Sequence, residues 1–312
     1  MTVQTMAGGL RGTRSGPFAD RYFKYLIVAP AIFVLLLVGL FPLIYSLVVS
    51  FQGLTMLEQD YSFRGFVNYA QLFRDTRLWE SLLHTVIFTA VALPIELVLG
   101  LLLAYLFLEK MPGRQIFIAL LTLPVVISPI VSGATWRLLF DNRFGPINQI
   151  IGWFAGEPVP IIWIINPNTV YPAILICEVW QWTPFMFLIL LAALSNVDKS
   201  LTEAAELDGA SFWRVFTRIV LPAIWPVMSI AILIRGLDLA RLFDIVWALT
   251  RGGPGTMTEV LSFHIYRFGI GEFFRVGYGS AMSILVLLLS AGLSFLFLQF
   301  LRHEELSDAE VT

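Results

Sequence analysis

Apolar residues run through this chain in long blocks instead of alternating with polar ones. Six blocks stand out, at about 25–50, 82–108, 115–140, 170–194, 223–249 and 276–301. Each meets or exceeds the roughly 20 residues that a helix needs to cross the hydrocarbon of a bilayer. With no water at that depth, backbone N–H and C=O groups must pair within the segment, which favours helices over open strands. The pattern predicts an all-α integral membrane protein with six transmembrane helices over residues 25–301. The first block is too long for a signal-peptide core and has no clear small-residue cleavage site, so it reads as a retained span. Residues 1–24, with Arg11, Arg14, Arg21 and Lys24, read as an N-terminal tail, and residues 302–312 as a short acidic C-terminal tail.

The longest polar island in the second half runs from Ser200 to Pro222, SLTEAAELDGASFWRVFTRIVLP. Ser200 and Glu203 have the spacing of a capping box, which predicts a short helix from Leu201 to Asp208. Gly209 suits a left-handed C-terminal cap, Ser211 can cap a second helix, and Pro222 would break it. Two turns of helix are marginal alone, so this one is expected to dock on something.

Basic residues orient the spans. With the N-terminus inside, the cytoplasmic pieces carry ten and the outer loops seven, a bias that places both termini in the cytoplasm. The outer connections then include 51–80, with Asn68, Tyr69 and an interfacial Trp79. In 141–169, Pro146 can open a short helix along the membrane surface. The run Arg251-Gly252-Gly253-Pro254-Gly255 is a tight turn by composition.

Composition narrows the chemistry. The chain is 58% hydrophobic and only 13% charged, with a formal net charge of −2; its mean hydropathy is +0.80. One cysteine, Cys177, rules out an internal disulfide or a cysteine metal cluster. The three lysines, Lys24, Lys110 and Lys199, all lie outside any phosphate-binding loop, and no HExxH pattern occurs, so the chain does not hydrolyse ATP itself. His84, His264 and His303 are scattered and suggest no catalysis.

Ionisable residues at membrane depth are costly and should pair or line a path. In the fifth block Arg235, Asp238, Arg241 and Asp244 alternate in sign at steps of three, so neighbours can neutralise one another. Gly236 beside them would allow close approach or local unwinding. The fourth block supplies Glu178, Trp180, Gln181, Trp182 and Phe185 around Pro184, aromatic faces and polar groups that suit a sugar. Either these charges form a structural ladder or some of them line a central solute cavity. Glu96, and Arg137 with Asp141, read as packing and pairing sites, and Gly100 with Ala104 as a close helix contact.

Glu203-Ala204-Ala205, then Asp208-Gly209, then Ile219 and Leu221-Pro222, resembles the EAA loop of ABC importer permeases. This loop with its lead-in, NVDKSLTEAAELDGASFWRVFTRIVLP, the stretch Leu123–Asn148, and the turn Thr250–Gly255 followed by YRFGIGEFFRVGYGSA are similar to the maltose-transporter-like carbohydrate branch, as is VAPAIFVLLLVGLFPLIYSL near the start. The resemblance implies the type I ABC importer permease fold and a bacterial inner-membrane location. It makes residues 200–222 a cytoplasmic coupling loop whose helix fits a cleft in an ATPase. Partners would be a second permease, an ATPase homodimer binding ATP and Mg, an extracytoplasmic solute-binding protein and a carbohydrate. Solute contacts in the family fall on the fourth block and near Asp238 to Leu242, which suggests Glu178, Gln181, Trp182, Phe185, Arg235, Asp238, Arg241 and Leu242. The alternative in another class is an ion- or proton-coupled secondary transporter using these buried charges, which should show inverted repeats with matching broken spans.

Overall fold

The computed structural model describes residues 17–58, 60–109 and 111–311. The expected tails fall partly outside that range, although the backbone is helical from Pro17 and again through Val311. Among the described residues, five helical runs are long and apolar enough to cross a membrane: Tyr25–Val49, Thr76–Leu106, Pro167–Ser195, Phe212–Ala240 and Val276–Gln299. A bent pair, Arg114–Val126 and Pro129–Leu139, whose axes turn by 98°, passes the same test when taken together and makes the number up to six.

Proline marks the sharp bend in the third span but not every break. In chain order the first span contains α1 (Pro17–Leu35), a π-turn over Leu36–Leu40 and α2 (Phe41–Val49). After α3 (Val67–Arg74) and α4 (Thr76–Leu106), α5 (Arg114–Val126) meets α6 (Pro129–Leu139) at the bend. A residue before proline avoids the helical region, and Ser128 accordingly has ψ 134°. The third span is therefore bent, whereas the apolar block alone suggested one straight helix. Helices α7 (Pro146–Ala155) and α8 (Pro167–Ser195) follow. Beyond them are α9 (Lys199–Leu207) and α10 (Phe212–Val215).

The fifth span departs further from expectation. Pro222 does not end the helix that Ser211 begins. A π-turn over Phe216–Val220 links α10 to α11 (Leu221–Ala240), giving one run from Phe212. That run stops at Ala240 instead of continuing to 249. Residues 241–243 break it, and α12 (Asp244–Leu249) packs against α6. Gly236, expected at a point of close approach or unwinding, lies within α11; a Cβ there would meet nothing nearer than Leu93 Cδ2 at 3.8 Å. Helix α13 (Leu261–Tyr266), a third π-turn (Arg267–Gly271) and α14 (Val276–Val311) complete the order.

Helix α8 is the central element and lies along α4. Gly100 makes that contact possible: a Cβ added there would lie 2.6 Å from Met186 Cβ and 3.0 Å from the Phe187 nitrogen. One apolar cluster gathers Phe187, Leu190 and Leu194 with Val215, Val220 and Ile224, at the end of the bundle that carries α9. Another gathers Phe88, Ile174, Leu242, Ile245 and Val260 nearer the opposite end. The apolar window of the first span has no buried residue.

Replacing Gly100 by leucine should overpack the α4–α8 contact and cost about 1–3 kcal/mol, whereas Gly236→Leu should be tolerated. Thermal unfolding of the purified complex would measure both. Equal losses at the two positions would show that the Gly100 contact is not a special constraint.

Candidate functional site

Three helices bring their ionisable residues to one point. Arg235 of α11 donates from Nε to Glu96 Oε2 at 2.8 Å and from Nη2 to Glu96 Oε1 at 3.0 Å. Its Nη2 also donates to Glu178 Oε1 of α8 at 2.5 Å. The side chains of Arg235, Glu96 and Glu178 are 1%, 0% and 3% exposed. Charged groups this deep are stable only when paired and hydrogen-bonded, and here one guanidinium serves two carboxylates. The guanidinium also lies over the ring of Trp182, 4.5 Å from its centroid, a cation–π contact that desolvation strengthens.

Arg235 therefore does not pair within a ladder along its own helix. Of that expected ladder, Asp238 and Arg241 approach to 3.7 Å, with side chains 41% and 67% exposed, while Asp244 opens the separate helix α12. Glu96 is a pairing residue, as its sequence context implied. Arg137 is not paired with Asp141: it donates to the Ala248 carbonyl at 3.4 Å, and Asp141 accepts from the backbone of Arg143 and Phe144.

The α8 residues have distinct surroundings. Gln181 donates from Nε2 to the Ile127 carbonyl at 2.8 Å, satisfying a group freed by the α5–α6 bend. Glu178 Oε2, Gln181 Oε1 and Thr183 Oγ1 are buried and find no hydrogen-bond partner among the described residues. Trp182 and Phe185 are half-buried and meet edge to face, with ring centroids 6.3 Å apart. Leu242 is buried among apolar residues. The structure thus joins Glu178, Trp182 and Arg235 in one cluster, places the exposed Asp238–Arg241 pair further along α11, and puts Leu242 in the core.

The island before α11 has its own geometry. Asp198, not Ser200, caps α9 by accepting from the Ser200 N–H at 2.9 Å. That backbone bond and the Ser200 hydroxyl hold the Asp198 carboxyl below its ordinary range. The expected Ser200–Glu203 capping box is displaced because Asp198 takes the N-cap two residues earlier. Gly209 has φ +78° with open space around it, so its requirement is conformational and not steric. Ser211 precedes α10 without a side-chain capping bond. No residue of α9 is buried; Leu201 and Leu207 point outward, and Glu203, Ala204 and Asp208 are exposed with them.

A third cluster, at the opposite end, was not legible in the sequence. Buried Glu259 accepts from Arg77 Nη2 at 3.1 Å and Arg267 Nη1 at 2.6 Å, and lies 2.6 Å from His264 Nδ1. Burial pushes its carboxyl up, but His264, Arg267 and Arg77 outweigh this and hold it below the ordinary range. Glu259 and Arg77 are 182 positions apart, so no local spacing announces the contact. Among the described residues, no group of three or more His, Cys, Asp or Glu is arranged to hold a metal ion.

Comparison with known proteins supplies the wider context. The trehalose/maltose transport system permease protein MalF of Thermococcus litoralis is 34% identical over 285 residues, covering 90% of this chain and 94% of that protein. The sulfoquinovosyl glycerol transport system permease protein SmoG of Agrobacterium fabrum is 32% identical over 300 residues, covering 95% of each. A chain in the crystal structure of a bacterial ABC transporter that imports the acidic polysaccharide alginate shares the fold. Its TM-score is 0.79 at 22% identity, over 92% of this chain and 97% of that one. Residues 69–303 match the family model described as binding-protein-dependent transport system inner membrane component. The chain is therefore a multi-pass membrane protein that belongs to the family of inner membrane components of binding-protein-dependent transport systems.

Proposed function

We propose that the chain is one of two membrane-spanning subunits of an ATP-driven importer for a carbohydrate or carbohydrate derivative. The observation that carries this reading is the joint presence of two features in a chain aligned almost end to end with sugar-transport permeases. One is an exposed α9 with its left-handed Gly209. The other is the buried Glu96–Arg235–Glu178 cluster beneath Trp182. On this reading both termini are cytoplasmic and α9 is the coupling helix. Its exposed Leu201, Ala204 and Leu207, with Glu203 and Asp208, would enter a cleft on an ATPase subunit. Two copies of that ATPase hold ATP and Mg and perform the hydrolysis. The opposite face, including the turn at Arg251–Gly255, receives an extracytoplasmic binding protein loaded with solute.

The mechanism follows from one rigid connection. Helices α10 and α11 with the π-turn between them form a single run from Phe212 to Ala240. About 23 steps separate Phe212 from Arg235, so the coupling end and the charge cluster lie roughly 35 Å apart along one helix. Closure of the ATPase dimer moves α9, and α11 carries that displacement to the cluster that ties it to α4 and α8. Solute accepted from the binding protein would stack on the free part of the Trp182 ring, with Phe185 beside it. Glu178 Oε2, Gln181 Oε1 and Thr183 Oγ1 are unpaired but buried, so they would reach solute hydroxyls only once the helices part in the transport cycle. Asp238 and Arg241 extend the polar lining toward the end of α11. ATP hydrolysis that rises when the purified complex is given sugar-loaded binding protein would support this function. Hydrolysis indifferent to the loaded protein would reject it.

Trp182→Ala should leave assembly intact and raise several-fold the concentration of loaded binding protein that half-maximally stimulates hydrolysis. If Trp182 only packs, stability should fall while that concentration stays constant. Arg235→Met should behave differently: removing one partner of a buried ion pair strands the other at a cost of about 3–5 kcal/mol. Recovery of the intact complex after detergent extraction should therefore drop sharply, and adding Glu96→Gln and Glu178→Gln to Arg235→Met should restore part of it.

Any bulky residue at Gly209 must hold a positive φ that costs about 1–2 kcal/mol. Gly209→Val should abolish uptake and solute-stimulated hydrolysis while the spans still insert. Normal uptake by that variant would remove α9 from the coupling role.

A further inference from the structure

Helix α7 turns the wrong polarity outward for a water-bathed surface. Its sequence, PINQIIGWFA, contains no charged residue. The inward face carries Asn148 and Gly152, both buried, with Ile147 packed against the core beside them. Asn148 donates from Nδ2 to the Ile161 carbonyl at 2.9 Å and accepts from Trp163 Nε1 at 2.8 Å. Gly152 sits so close to the returning chain that an added Cβ would lie 2.9 Å from the Glu157 carbonyl oxygen. Ile150, Trp153 and Phe154 share the outward face at the i, i+3, i+4 spacing. Trp153 and Phe154 are 79% and 77% exposed. A surface helix in water does the reverse, packing its apolar stripe inward and its polar side outward.

The anchoring contacts fix where this helix sits. Ile161 and Trp163 lie just before α8 begins at Pro167. The 29 residues of α8 span roughly 43 Å at 1.5 Å each, matching the 40–45 Å of a bilayer counted with its headgroups. Its first turn therefore lies at headgroup level. Phe140, at the end of α6, packs against Trp163 with centroids 5.0 Å apart, so the preceding span ends at the same height. A groove of about 540 Å³ beside α7 is lined by Asn142, Arg143, Gln149 and Glu157 together with Trp153 and Pro158, the mixed character of the headgroup layer.

We propose that α7 is an interfacial anchor whose Ile150, Trp153 and Phe154 insert into the headgroup–acyl boundary, so that lipid covers this face. An aromatic, uncharged face held at headgroup height fits that boundary. The segment 141–169 is then divided. Its helix is committed to the membrane, and only the remainder is free to meet a soluble partner.

The test uses the assembled transporter in nanodiscs of phosphatidylethanolamine and phosphatidylglycerol. Spin labels are placed on Ile150→Cys, Trp153→Cys and Asn142→Cys; the native Cys177 is buried and does not compete. Power saturation should show labels at 150 and 153 relaxed more by oxygen than by a water-soluble nickel complex, at a depth of roughly 5–10 Å. The label at 142 should show the opposite order. Loaded binding protein should leave the spectra at 150 and 153 unchanged. Nickel accessibility at 150 and 153 equal to that at 142 would overturn the proposal in favour of water. Shielding from both reagents, or immobilisation by the binding protein, would overturn it in favour of a protein contact. If Trp153→Cys disturbs assembly, Phe154→Cys reads the same face.

Discussion

A guanidinium at membrane depth must be neutralised, and meeting that demand organises this protein. Translocon-based scales put an unpaired charge at the centre of a span at about 2.5–3.5 kcal/mol. Arg235 meets the demand by recruiting Glu96 from α4 and Glu178 from α8. Three spans are thereby fixed at one level and rotation, because a bidentate contact constrains orientation as well as distance. The apolar packing agrees with that register. Gly100 lies one helical turn beyond Glu96, and its bare backbone lets α8 approach at Met186 and Phe187. Charge pairing and close packing thus specify the same α4–α8 alignment.

The prolines show how long helices survive residues that ought to end them. Proline lacks an N–H, and its ring crowds the carbonyl four residues earlier. For Pro42 that residue is Val38, and for Pro222 it is Arg218. Both fall inside five-residue π-turns, Leu36–Leu40 and Phe216–Val220. A wider turn relieves the crowding while the axis continues, in keeping with π-segments as single-turn insertions in α-helices. Pro129 is different, since Ile127 and Ser128 before it adopt extended backbone and the axis turns sharply. Residue type alone does not separate these outcomes; the available partners do. At the sharp bend, Gln181 receives the freed Ile127 carbonyl.

Those distinctions explain what could be read from the sequence. Apolar block length gave the class and most of the spans, because backbone satisfaction in lipid depends on length more than on neighbours. Gly209 was legible because a left-handed cap is a local requirement. The Ser200 capping box failed locally too: Asp198 lay just outside the polar island and competed for the same N–H. The pairing of Arg235 was not legible. Steps of three along α11 offered Asp238, yet the actual partners lie 139 and 57 positions away. The Glu259 cluster was invisible for the same reason. The family resemblance did extend beyond local rules, since a motif carries tertiary context that spacing lacks.

The break after Ala240 gives the remaining charges their character. A helix C-terminus presents unpaired carbonyls and a partial negative charge, which favour a cation in the last turn. Arg241 stands at that point, donating from Nε to the Leu237 carbonyl at 3.2 Å with Asp238 at 3.7 Å. It is stabilised by its own helix end and needs no buried carboxylate, unlike Arg235. Arg235 within α11 and Arg241 just past its end consequently do different work six residues apart. Arg235 is locked into the bundle and supports Trp182 from beneath. Arg241 is held loosely and exposed at a helix terminus, where a side chain can exchange partners without breaking the core. In the proposed transport cycle this makes Arg235 part of the frame and Arg241 part of the surface that meets a changing solute. The same division explains why the charge ladder suggested by the sequence is not continuous: its first member belongs to the bundle, its middle pair to the end of α11, and its last to α12.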